Sequence, residues 1–202
     1  MTADLVQKAV ASIGRGDLAV IATDTVYGLV ASATDEQGAA RIRQAKGRPS
    51  DMPCALVADD VASLLSVVPE ITGRLERIVR TLLPGPVTLI VPNPGGRFPW
   101  LAAPEAGSLG VRVPILPPLA LAVVGAAGPI AATSANLHGE SDPRSVDDLS
   151  VQLRASVAVV VDDGPVPGVP STVIDITNPT PLFLREGAVN AGEVLQRLAA
   201  AG

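Results

Sequence analysis

The chain has 202 residues, of which 48% are hydrophobic, 17% charged and 2% aromatic, with a formal net charge of −5. So much apolar character excludes a disordered chain, and the acidic balance argues against a surface coated in phosphate-binding charge, while leaving room for a local basic cleft. One cysteine, Cys54, and one histidine, His138, exclude a zinc centre built on those two residue types and leave any serine triad a single base.

In chain order, the spacing of Val6, Val10 and Ile13 predicts a helix over about 3–14, stopped by "GRGD". "LAVIAT" reads as a buried strand, residues 35–45 as a helix capped at its acidic end, and "CALVA" as a short strand. Ile71, Leu75, Ile78, Val79 and Leu82 align on one face and predict a helix over 71–83. "VTLIV", "LGVRV", "IAATS", "VAVVVD", "STVIDI" and "PLFLRE" read as strands, with short helices near 119–124, 146–154 and 192–199. The segment 113–137 carries no charge, but its prolines and glycines break it into a helix and a strand of a buried core rather than a membrane span. The N-terminus lacks the apolar block of a signal peptide, so the expectation is a soluble, cytoplasmic protein. Strands outnumber helices late in the chain, which favours an α/β fold on a mixed sheet, in a single domain over 1–202.

Polar residues gather just past the apolar strands, where open α/β sheets bind ligands. The segments are "TDTVYGL", "KGRPSDMP", "LGVRVP", "ATSAN", "PSTVID" and "LREG". Taken singly, most have ordinary readings: strand residues, an exposed basic turn, an Asn cap or a surface ion pair. Arg112 fits such a reading least well, because it lies between Val111 and Val113 in a run that reads as buried, and a buried charge needs a partner or a ligand. Asp162 and Asp163, before "GPVPG", read as a solvated turn, and His138 as a surface residue. The chain contains no GxxxxGK[ST], GxGxxG or HExxH motif.

"TDTVYGL", "KGRP", "PGPVTLIV", "VRVP", "TSAN", "STVID" and "LREG", in that order over roughly 18–187, resemble the YrdC-like family of threonylcarbamoyl-AMP synthases. The length matches the short bacterial form. Ala22 and Thr133 stand where the family commonly has Pro, Leu83 replaces a frequent Trp, and "DDG" replaces an Asp followed by two glycines. The resemblance implies a twisted α/β fold with a large open cavity. It also implies conversion of L-threonine, bicarbonate or CO2, and ATP into threonylcarbamoyl-AMP and pyrophosphate. Separate downstream proteins would then transfer the threonylcarbamoyl group to an adenosine beside the anticodon of tRNA. Magnesium would arrive with ATP.

By the same resemblance, Lys46, Arg48, Ser134 and Asn136 surround the ATP phosphates and the reacting group. Thr25, Val57, Arg112, Ala132 and Ser171 form the threonine pocket, with Arg112 facing the carboxylate. Ser108, Arg144 and Arg185 fall at ATP-contacting positions. The hydroxyls of "TDTVYGL" are then expected to face the substrate, with Gly28 allowing a close backbone turn. Such a site works by positioning and by cations that offset repulsion between its anionic substrates, without a covalent intermediate. Two rivals share the scaffold: a non-catalytic module that contacts tRNA or double-stranded RNA through the same cations, and a paralogue that uses another amino acid or acceptor.

Overall fold

The computed structural model describes residues 2–47, 52–102 and 107–201. Arg48, expected at the ATP phosphates, falls outside them. The helices are α1 (Thr2–Gly14), α2 (Glu36–Ala45), α3 (Val61–Val67), α4 (Arg74–Leu82), α5 (Pro118–Ala127), α6 (Val151–Ser156) and α7 (Ala191–Ala200). The strands are β1 (Ala19–Ile21), β2 (Gly28–Ser32), β3 (Ala55–Val57), β4 (Val87–Pro92), β5 (Ser108–Arg112), β6 (Ile130–Ser134), β7 (Val159–Val161), β8 (Thr172–Asp175) and β9 (Leu182–Arg185). They form one 9-stranded sheet in the order β7-β1-β2-β6-β3-β5-β4-β8-β9. The sheet is mixed, as expected: β1·β7, β3·β5 and β4·β8 run parallel and the other neighbours antiparallel.

Strand alternation gives the sheet two different faces. One carries Leu29, Leu56, Leu89, Leu109 and Ile174 and is packed by Ile42 of α2, Leu64 of α3, Val79 of α4 and Val194 of α7. The other carries Ile21, Val30, Val57 and Ile130, covered by Ala9 and Ile13 of α1 and Val123 and Val124 of α5. Those two helices reach only part of the second face. Over β3, β5, β4 and β8 that face opens into a cavity.

Two elements escape a reading of the sequence pattern. β2 is buried on both faces over most of its length, so the alternation that signals a strand is missing from "GLVAS". α3 has only seven residues; its sole local signal is Asp60, whose side chain accepts from Ser63 N at 2.6 Å. α4 begins at Arg74 rather than 71, because Gly73 adopts φ 56°, outside helical geometry, and Ile71 is buried in the turn before it. The 146–154 region divides into a 3-10 turn, Val146–Asp148, and α6, which Ser150 caps through Leu153 N at 3.2 Å. The charge-free segment resolves into α5 and β6. No helix among the described residues is long and apolar enough to cross a membrane.

Candidate active site

The cavity holds about 360 Å³, and its wall includes Val57, Arg112, Ala132, Ser134, Ser171 and Arg185 from five of the strands or the residues beside them. Its floor is partly bare backbone. A Cβ on Gly110 would lie 3.5 Å from Ile90 Cδ1, and one on Gly28 would lie 3.6 Å from Thr133 O. Both would fit, but each would take space from the cavity. Gly28 starts a strand with no positive φ, so it widens the cavity instead of making the expected turn.

Arg112 ends β5 with its side chain on the cavity face and only 12% exposed. Its Nη2 donates to Asp24 Oδ1 and, at 2.7 Å, to Thr25 Oγ1. Asp24 Oδ2 in turn accepts from Ile115 N at 2.9 Å. Arg112 Nε is buried and has no partner among the described residues. Burial pushes the guanidinium below its usual pKa, Asp24 opposes that fall, and nearby Arg185 adds to it. A desolvated cation with an unused donor, facing a cavity, is suited to an anion.

Arg185 ends β9 and donates from Nε to Ser171 O at 3.1 Å and from Nη2 to the same oxygen at 2.8 Å. Its Nη2 also reaches Ser171 Oγ at 3.3 Å, and Ser171 Oγ lies 2.9 Å from Thr88 Oγ1. Gly187 lets these segments touch: a Cβ there would fall 2.1 Å from Pro170 O, closer than any side chain tolerates.

The "TDTVYGL" residues do not all face the cavity. Thr23 Oγ1 donates to Val26 O at 2.7 Å and accepts from Thr25 N and Val26 N, closing a local turn. Thr25 is fully buried and reaches the cavity through Arg112 and through Thr23, which lines it and whose hydroxyl lies 3.0 Å from its own. Tyr27, also fully buried, places its hydroxyl 2.9 Å from Asp162 Oδ1 and 2.7 Å from Gly164 O. Burial and Asp162 hold the phenol above its usual pKa. Tyr27 therefore pins a loop, contrary to the expectation that it meets substrate. The Asp162–Asp163 pair is likewise engaged and not merely solvated: Asp163 caps α5, accepting from Leu119 N and Ala120 N at 3.0 Å each.

Lys46 caps the C-terminal end of α2 and is 1% exposed. Its Nζ donates to Ser134 O, to Asn136 O, and at 2.7 Å to Asn136 Oδ1. Ser134 Oγ donates to the same Oδ1 at 2.6 Å, and Asn136 Nδ2 donates to Glu140 O at 2.6 Å. Lys46, Ser134 and Asn136 thus meet in one hydrogen-bonded cluster. Lys46 lies behind the cavity wall, and Ser134 alone of the three lines it.

Ser108 shares the cavity face of β5 but, like the exposed Arg144, stands outside the lining. His138 is exposed, as expected. Two contributors were not foreseen. Asp24 was visible beside Thr25 but gave no sign of its pairing with Arg112, 88 positions away. Thr88 looked like an ordinary strand residue. Among the described residues, no group of three or more His, Cys, Asp or Glu side chains could hold a metal ion.

A family model named Sua5/YciO/YrdC and described as "Telomere recombination" matches residues 11–187. A Mycobacterium tuberculosis protein is 33% identical over 191 residues, covering 94% of this chain and 87% of that protein. A Bacillus subtilis protein named threonylcarbamoyl-AMP synthase is 33% identical over 192 residues, covering 94% of this chain and 55% of its own length. The crystal structure of Pyrococcus abyssi Sua5 complexed with L-threonine superposes with a TM-score of 0.83 at 33% identity, covering 95% of this chain and 56% of that one. The chain thus spans about half of the last two relatives.

Proposed function

Because this chain belongs to the Sua5/YciO/YrdC family, we propose that it is an L-threonylcarbamoyladenylate synthase. L-Threonine, bicarbonate and ATP give threonylcarbamoyl-AMP, pyrophosphate and water. The observation that carries this reading is Arg112: a largely buried guanidinium on the cavity wall with an unused Nε donor. The threonine carboxylate takes that donor, while Asp24 and Thr25 hold the far side of the guanidinium and fix its plane. The P. abyssi relative solved with L-threonine supports the same substrate.

Once threonine is seated, its amine attacks the carbon donor to form a carbamate. A carbamate oxygen then attacks the α-phosphorus of ATP, and the bond to pyrophosphate breaks. Arg185, close enough to Arg112 to affect its charge, adds a second positive group for the phosphates. Ser134 forms the wall beside the reacting phosphate, with Asn136 and Lys46 behind it, the lysine neutralising charge that develops there. Magnesium enters on the nucleotide's phosphates as part of that substrate. The product is labile, so its threonylcarbamoyl group passes to tRNA through separate transfer proteins, in the cytoplasm.

The test is pyrophosphate release with ATP and bicarbonate, run with threonine, serine, valine or no amino acid. Release that depends on threonine and falls with the other two supports the reading. Salt-sensitive tRNA binding with no threonine-dependent release would replace it with the RNA-binding alternative.

A further inference from the structure

Thr88 is 9% exposed and belongs to the cavity wall. β4 lies between β5 and β8, and Leu89 pairs with Val111 in antiparallel register, so Thr88 is level with Arg112 on the cavity face. On its other side Thr88 Oγ1 lies 2.9 Å from Ser171 Oγ, while its methyl group would lie 3.9 Å from a Cβ placed on Gly110. Thr88 thus stands level with Arg112 and touches Ser171 through its hydroxyl.

The two hydroxyls carry two protons, and the bond between them uses one. If Thr88 donates, Ser171 Oγ accepts both from it and from Arg185 Nη2 at 3.3 Å, and the Ser171 proton is turned to the cavity. If Ser171 donates instead, the Thr88 proton is the one turned to the cavity. A buried hydroxyl proton without an acceptor is costly, so in either arrangement the pair offers one proton to an acceptor in the cavity. From this we infer that Thr88 is a positioning residue. It fixes the Ser171 hydroxyl, so that the hydroxyl pair and Arg112 together form a donor cradle for the substrate carboxylate. The inference rests on the proposed threonine synthase activity.

The test compares the wild type with Thr88→Val, which keeps shape and removes the hydroxyl, and Thr88→Ser, which restores it. Thr88→Ala replaces the valine variant if circular dichroism shows that variant unfolded. Threonine-dependent pyrophosphate release should show the threonine KM raised about five- to tenfold, consistent with one net hydrogen bond. The kcat and the ATP KM should stay within about twofold, and the serine variant should return to the wild-type KM. An unchanged threonine KM, a loss confined to kcat, or no rescue by serine overturns the inference. A wild type that neither binds nor uses threonine overturns the functional reading as well, which separates the two failures.

Discussion

Arg112 and Lys46 are both buried cations beside the same cavity, yet their hydrogen-bond states are opposite. Arg112 is held from one side by Asp24 and Thr25 and keeps its Nε donor unused. Among the described residues the Lys46 ammonium donates to three acceptors, and Ser134 directs its own proton to Asn136. On the proposed assignment the threonine end is therefore formed in advance, whereas the phosphate end is closed on itself. A nucleotide must displace at least one of those internal bonds, beginning with the freely rotating Ser134 hydroxyl.

Substitutions can separate the two ends. Arg112→Ala leaves Asp24 buried without its charge partner, and we expect about 3–5 kcal/mol less stability in urea unfolding. Pyrophosphate release should fall about a hundredfold or more. Arg112→Lys gives Asp24 a charge but no donor at the Nε position; stability should largely return while threonine affinity does not. Recovery of both would mean that charge alone binds the substrate.

Lys46→Met removes the ammonium and leaves acceptors of Ser134 and Asn136 unsatisfied. The expected loss is about 2 kcal/mol of stability, again by urea unfolding. Turnover should drop about a hundredfold with threonine affinity nearly unchanged. An equal loss of threonine affinity would show that the two ends act as one.

The smallest effect belongs to Tyr27→Phe, which removes one buried hydrogen bond worth about 1 kcal/mol at neutral pH. Its pH dependence is more informative. The folded phenol ionises at higher pH than the unfolded one, so above about pH 10 the folded state retains a proton that the unfolded chain has lost. Stability should therefore fall as pH rises through that range, by at most about 1.4 kcal/mol per pH unit, and Tyr27→Phe should remove this slope. Tyr27 is the only tyrosine, so tyrosinate absorbance reports it directly. Ionisation near pH 10 in the folded protein would contradict its burial and pairing.

Much of this was legible in the residues. The apolar runs marked seven of the nine-strand sheet's strands before "PLFLRE", and that segment marked β9, whereas β2 lacked a period because both its faces are buried. Arg112 declared itself as a charge inside an apolar run. What it pairs with did not, since Asp24 lies 88 positions away and only the sheet brings them together. "TDTVYGL" serves several purposes at once. Hydroxyls at a strand end look the same in sequence whether they meet a ligand, close a turn or pin a loop, and here Thr25, Thr23 and Tyr27 divide into arginine support, turn and pin. The direction in which Lys46 points was equally hidden, because a lysine after a helix is usually solvated.

The most direct test of a threonine end formed in advance is calorimetric titration of nucleotide-free protein with L-threonine and with L-threoninamide, which lacks the carboxylate. The account predicts that threonine binds without ATP and that the amide binds at least about tenfold more weakly, as loss of a charge-assisted contact requires. Equal binding of the two compounds, or threonine binding only after ATP is added, would contradict it.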